Sequence, residues 1–249
     1  MREQVVVITG ASSGIGAALA QLLARTTEHR LVLVARRKAA LDAVASQCGP
    51  RATVVVGDME TRSDVRAVVQ YTLQHFASIN VWINNAGRGI SRPPSQLTDD
   101  DVDSMMRANV KSVLYGMQEV LPHFKERGDG HFINTSSMLA RMPLSVMRSA
   151  YSASKFYVNA LTAMMREEVR QTHPRIVFSL VSPGVVATDF GNNAVHGGPD
   201  SRQLPDAQNV DEVAAVIAGV IKSRAPDVYT RTGARDRVAA YYANIGVDP

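Results

Sequence analysis

Short β-branched runs alternate along the chain with stretches whose apolar residues recur every three or four positions, a pattern that predicts strands and helices in turn. The first run is 5–9 (VVVIT), followed by helical spacing at Ala17, Leu19, Ala20, Leu22, Leu23 and Ala24. Further strands are predicted at 31–34, 53–56, 79–83, 131–135, 176–181 and 228–230. Helices are predicted over 38–47, 63–76, 98–126, 149–170, 213–221 and 236–242. This alternation belongs to the α/β class, and no break divides the 249 residues, so one domain over 1–249 is expected. The segment 191–205 is polar, rich in Gly and Pro and without periodicity, which marks 187–208 as a candidate mobile lid.

The connections carry the chemistry. Gly10-Ala11-Ser12-Ser13-Gly14-Ile15-Gly16 follows a strand and opens a helix, the first half of a βαβ unit. Gly10 ends the strand in a tight turn, Gly14 lets backbone approach a pyrophosphate, and Gly16 allows helix to pack on strand. The helix amino end would face the phosphates. The second strand ends at Ala35-Arg36-Arg37-Lys38. An acid at this strand end suits an adenosine 2′-hydroxyl, whereas a basic fork suits a 2′-phosphate, so NADP(H) is expected over NAD(H). Arg36 is the first candidate for that contact, and Arg37 or Lys38 could share or replace it. Gly57-Asp58-Met59 ends the third strand, where Asp58 is placed to meet adenine or to serve the following helix. Asn84-Asn85-Ala86-Gly87 ends the fourth, and its small residues let backbone lie against a cofactor.

Asn109 lies inside the predicted 98–126 helix, whose start at Thr98-Asp99-Asp100-Asp101 resembles a cap. Asn is a poor interior residue, so it should bend the helix or hold something. Tyr151 and Lys155 stand at i and i+4 of the predicted 149–170 helix, one turn apart on one face. An ammonium at that range can pull a phenol down toward the working range of a general acid or base.

Composition narrows the partners. Hydrophobic residues make 45% of the chain and charged ones 20%, and no apolar run approaches a membrane span. The net charge of +4 is spread without a basic run or interleaved aromatics, which argues against nucleic acid. A strand-like run directly after Met1-Arg2-Glu3-Gln4 leaves no room for a signal peptide, so a cytoplasmic location is expected. The single Cys48 excludes an internal disulfide, and no metal site is expected.

Taken together, TGASSGIG at 9–16, NNAG at 84–87, Asn109, Ser136-Ser137, YSASK at 151–155 and PGVVAT at 183–188 resemble the short-chain dehydrogenase/reductase family over about 5–229. The resemblance implies a doubly wound Rossmann fold, a seven-stranded parallel sheet with helices on both faces. It implies that Tyr151 is the acid/base, that Lys155 binds the nicotinamide ribose, that Ser137 polarises the substrate carbonyl and that Asn109 helps hold a relay water. Pro183, Gly184 and Val186 would border the nicotinamide, and Thr188 would touch its carboxamide. Ser137 precedes Tyr151 by one residue more than in many members, and Ser136 is the alternative; an extra loop residue costs less than turning a strand over. The expected substrate is a small ketone, aldehyde or secondary alcohol, facing an apolar wall of Met138, Leu139, Met142, Pro143, Leu144 and Met147. A 3-oxoacyl-thioester reductase, using Arg88, Arg92, Arg141 and Arg148 toward a carrier, is one alternative. A non-catalytic NADP(H)-binding regulator is another. The family habit of pairing through long helices predicts a homodimer or homotetramer.

Overall fold

The computed structural model describes residues 3–245. Its sheet is built from β1 (Val5–Thr9), β2 (Arg30–Ala35), β3 (Ala52–Val56), β4 (Val81–Asn84), β5 (Gly130–Thr135), β6 (Ile176–Ser182) and β7 (Asp227–Tyr229). All pairs are parallel, in the order β3-β2-β1-β4-β5-β6-β7. The chain therefore winds outward twice from the middle, and the order reverses between β1 and β4. Where that happens, the loops leaving neighbouring strands part and open a crevice at the carboxyl ends.

Alternation along the central strands divides the core. On β1, Val6 and Ile8 join Leu31 and Leu33 of β2 on one face, while Val5 and Val7 join Val32 and Val34 on the other. The first face is covered by α1 (Gly14–Thr26), α2 (Lys38–Cys48) and α7 (Val210–Ser223), through Leu19, Leu41 and Ile217. The second is covered by α3 (Arg62–Phe76), α5 (Ser112–Arg127) and α6 (Ser149–Arg170), through Val65, Met117 and Val158. The predicted 149–170 helix is reproduced at both ends. A buried polar chain stitches the second face: Trp82 Nε1 donates to Asn84 Oδ1 at 2.7 Å, Asn84 Nδ2 to Asn134 Oδ1 at 2.8 Å, and Asn134 Nδ2 to Thr162 Oγ1 at 2.9 Å.

Two expectations are corrected. The strand foreseen at 79–83 starts at Val81; Asn80 still bonds to both neighbouring strands, its N donating to Val5 O at 2.9 Å and its O accepting from His131 N at 3.1 Å, whereas Ile79 N turns to a side chain. Ile79 N donates to His123 Nε2 and Asn80 Oδ1 accepts from Val5 N, so the pair braces the start of the sheet. The single helix foreseen at 98–126 is α4 (Asp99–Met105), a π-helical stretch Met106–Lys111, and α5. Thr98 caps α4 as its spacing suggested, in a reciprocal box with Asp101. The π-helical stretch carries Asn109, and the bend foreseen there takes that form. α8 (Ala234–Ala243) closes the described chain. Among the described residues no helix is long and apolar enough to cross a membrane.

Candidate active site

At the sheet's carboxyl edge lies a cleft of about 1150 Å³. One end is the turn from β1 into α1. Gly10 has φ +67, and a Cβ there would lie 2.9 Å from Ala86 Cα. A Cβ on Gly16 would lie 2.5 Å from the Gly10 carbonyl oxygen, so both positions need glycine for close backbone approach. Ser13, the residue before α1, makes no side-chain cap, which leaves the first amides of the helix for another acceptor. Thr9 Oγ1 accepts from Asn85 N and Ala86 N at 3.0 and 3.1 Å, and Asn85 Nδ2 donates to Thr9 O. That arrangement fixes the 84–87 turn against the glycine turn.

Both arginines after β2 reach this end. Arg37 Nη2 lies 3.2 Å from Ser12 Oγ and 3.1 Å from Ser13 Oγ. Arg36 leans toward Asp58 and Glu60 at 3.6 and 3.5 Å. Lys38 is drawn away by Asp42 at 2.7 Å. Asp58 lines the cleft beside Met59, while Asp64 accepts from Asp58 N and serves the start of α3. Open turn amides and close-packed glycines fit a dinucleotide.

The other end of the cleft is built by β5, α6 and β6. Ser136 and Ser137 follow β5 with side chains pointing apart. Ser136 Oγ donates to Asn159 Oδ1, whereas the Ser137 hydroxyl acts on the Tyr151 phenol and accepts from Leu139 N at 3.1 Å. After Ser137 the chain makes a 3-10 turn over Met138–Ala140 and then a loop to Arg148. Pro183, Gly184, Val186 and Thr188 line the cleft after β6, with Thr188 Cγ2 3.4 Å from a Cβ built on Gly14.

The Tyr151 phenol and Lys155 ammonium are both buried. Burial pushes the phenol above its ordinary value, with Ser137 and the Arg148 charge pulling the other way. The spacing of Tyr151 and Lys155 suggests the opposite direction. The physical reason is that Lys155 aims at Thr135 O, 2.8 Å away, and lies 5.9 Å from the Tyr151 ring centre. Burial also pushes the Lys155 ammonium down to about 8.

Asn109 does not line the cleft. It is fully buried, its Oδ1 accepting from Arg88 N at 2.9 Å and its Nδ2 donating to Arg88 O and to Ser154 Oγ, both at 3.0 Å. It ties the loop after β4 to the Tyr151 helix. Of the four arginines weighed for a carrier surface, Arg92 pairs with Asp101 and Arg141 with Asp227, both at 2.7 Å. The 187–208 segment crosses the cleft mouth: Val195 bonds to Gly89 and Ser91, and His196 Nε2 meets Asp101 Oδ1 at 2.7 Å. Its Phe190 packs edge-on against Tyr151 with ring centres 5.4 Å apart. Phe190, Thr135, Ser154 and Asn159 escape sequence reasoning. Ser154 and Asn159 could have been sought on the α6 face that bears Tyr151, but Phe190 has no local signal.

A parallel sheet reversing between β1 and β4, with a glycine turn at the reversal, defines the dinucleotide-binding class of α/β folds. The family profile of short chain dehydrogenases matches residues 4–197. An oxidoreductase of Staphylococcus epidermidis, described only as uncharacterized, is 32% identical over 213 residues, covering 84% of this chain and 88% of its own. A short-chain dehydrogenase of Sphingobium yanoikuyae in complex with NADPH superposes with TM-score 0.82 at 29% identity, covering 99% and 96% of the two chains. A short chain dehydrogenase/reductase of Burkholderia phymatum in complex with NAD reaches TM-score 0.89 at 24% identity, covering 99% and 97%. The chain belongs to the short-chain dehydrogenase family, and it is an oxidoreductase.

The buried Lys155 has a consequence for stability. A cation whose folded pKa lies below its unfolded one costs stability wherever the unfolded chain still holds the proton. With about 8 against 10.5, that cost is full below about pH 8 and disappears as pH rises to 10.5. It is on the order of 3 kcal/mol. Lys155→Met should therefore melt several degrees higher than the wild type at about pH 7 without added cofactor. The difference should shrink toward about pH 10.5. A variant melting lower at neutral pH contradicts this.

Proposed function

We propose that the protein is an NADP(H)-dependent oxidoreductase acting on a ketone or aldehyde, or on the matching secondary alcohol, with an apolar body. The observation that carries this reading is the convergence of Ser137, Tyr151 and Lys155 at one end of a cleft whose other end is the glycine turn with Arg36 and Arg37. When bound, a nicotinamide dinucleotide supplies or accepts the hydride. Tyr151, as a phenol kept protonated by burial, gives its proton to the carbonyl oxygen during reduction and takes one from the alcohol in reverse. Ser137 donates to the same oxygen and stabilises its developing charge. Lys155 holds the ribose side, and Asn109 acts as a positioning residue through Arg88 and Ser154.

The apolar preference is supported by Phe190, Leu139 and Met147 along the cleft. Pairing of Arg92 and Arg141 with acids weighs against the carrier-thioester alternative. The 187–208 segment acts as a lid. Exposed Tyr157 and Met164 on α6 favour a homodimer or homotetramer, and the single, buried Cys48 suits a cytoplasmic location.

Tyr151→Phe should lower turnover by about two or more orders of magnitude while NADPH affinity, followed by fluorescence titration, is kept. Ser137→Ala should also lose turnover and Ser136→Ala should retain it; near-wild-type turnover in Tyr151→Phe overturns the mechanism. Replacing Arg36 and Arg37 together by Ala should lower the ratio of kcat/KM for NADPH over NADH by roughly tenfold or more, the usual scale for bonds to a charged group. An unchanged ratio places the preference elsewhere.

A further inference from the structure

Arg148 immediately precedes α6 and sits one turn before Tyr151. Its guanidinium is half-buried at the positive pole of a 22-residue helix whose first turn holds no acid, a place where a cation is disfavoured. Among the described residues no carboxylate pairs with it. The neighbouring acids are committed elsewhere, Asp101 to Arg92 and His196, and Asp189 to Arg202. Its one hydrogen bond to protein is from Nη1 to Ile90 O at 3.1 Å, so most of the planar fork remains for another acceptor.

The position is built. Arg92 N donates to Met147 O and Ser149 Oγ to Arg92 O, both at 2.9 Å, pinning the backbone on both sides of Arg148 to the 90–92 segment. A Cβ on Gly198 would lie 3.0 Å from Arg148 Nη2 and 2.8 Å from Ser91 Oγ, so Gly198 of the 187–208 segment packs directly over both groups and would have to shift for an anion to reach them together. The Ser91 hydroxyl is buried and has no partner among the described residues. Both residues line the same cleft as Tyr151.

We propose that Arg148, with Ser91, receives a carboxylate on the substrate, so that the physiological compound is an oxo acid or hydroxy acid rather than a neutral carbonyl compound. The proposal rests on the oxidoreductase reading above and adds a fixed anion to its apolar body. A planar fork beside one hydroxyl matches the two oxygens of a carboxylate. The anion would also supply the negative charge that the helix end and the guanidinium both call for. Arg148 immediately precedes the helix that carries Tyr151, and both side chains line the same cleft, so one compound can present its carboxylate to the first and its carbonyl to the second. The Arg148 charge already acts on the Tyr151 phenol, so a bound carboxylate would also mask it and favour the protonated acid.

The test compares benzoylformate and benzoylpropionate, each against its methyl ester, as substrates with NADPH. The wild type should favour at least one acid over its ester by about tenfold or more in kcat/KM. Arg148→Gln should bring that ratio close to one, and Arg148→Lys should restore part of it. Preference for the esters by the wild type overturns the proposal without requiring any variant to fold. An acid-to-ester ratio unchanged in Arg148→Gln also overturns it, and makes Arg148 a support for the 90–92 segment. Either result leaves the hydride-transfer reading intact, since that reading falls only if no carbonyl, charged or neutral, is reduced.

Discussion

The structure turns on one buried cation. Lys155 must leave water for its ammonium to reach the β5 edge, and burial costs it enough to push its pKa down to about 8. The fold tolerates this because Thr135, the last residue of β5, turns its carbonyl to the ammonium, and because α6 is held to the sheet by Val158, Met165 and Val169. The same helix sets Tyr151 against Ser137 and ties Ser154 to Asn109. Placing one charged side chain thus requires the strand end, the long helix and the π-helical stretch to stand in a single arrangement.

The opposite end of the cleft depends on close backbone approach rather than on charge burial. Gly10 and Gly16 let β1, α1 and the 84–87 turn touch, and the Thr9 hydroxyl locks that contact with three hydrogen bonds. Both ends hang from neighbouring central strands, β1, β4 and β5, so the distance between them is fixed by strand spacing. The strands set the spacing of the two ends, and the 187–208 segment lies across the cleft above them.

Much of this was legible because it is local. The strand, glycine turn and helix at the amino end follow from a change of period, and α6 has the predicted bounds because its apolar spacing is unbroken from Ser149 to Arg170. The choice of Ser137 over Ser136 as the residue facing Tyr151 rested on strand parity, and the side chains do point apart. What escaped is tertiary. The direction of the Tyr151 shift depends on burial and on where Lys155 aims, neither of which i and i+4 spacing contains. Arg141 finds Asp227 far along the chain, and Phe190 reaches Tyr151 from a loop without periodicity. The π-helical stretch leaves no compositional mark beyond an Asn where a helix would rather not have one.

The most direct measurement follows nicotinamide absorbance as the purified protein meets a panel of neutral and acidic ketones and aldehydes with NADPH or NADH. NADPH oxidation matched mole for mole by alcohol formed, and faster than with NADH, is the expected result. Tight NADPH binding with no oxidation across the whole panel would contradict hydride transfer and leave a binding protein in its place.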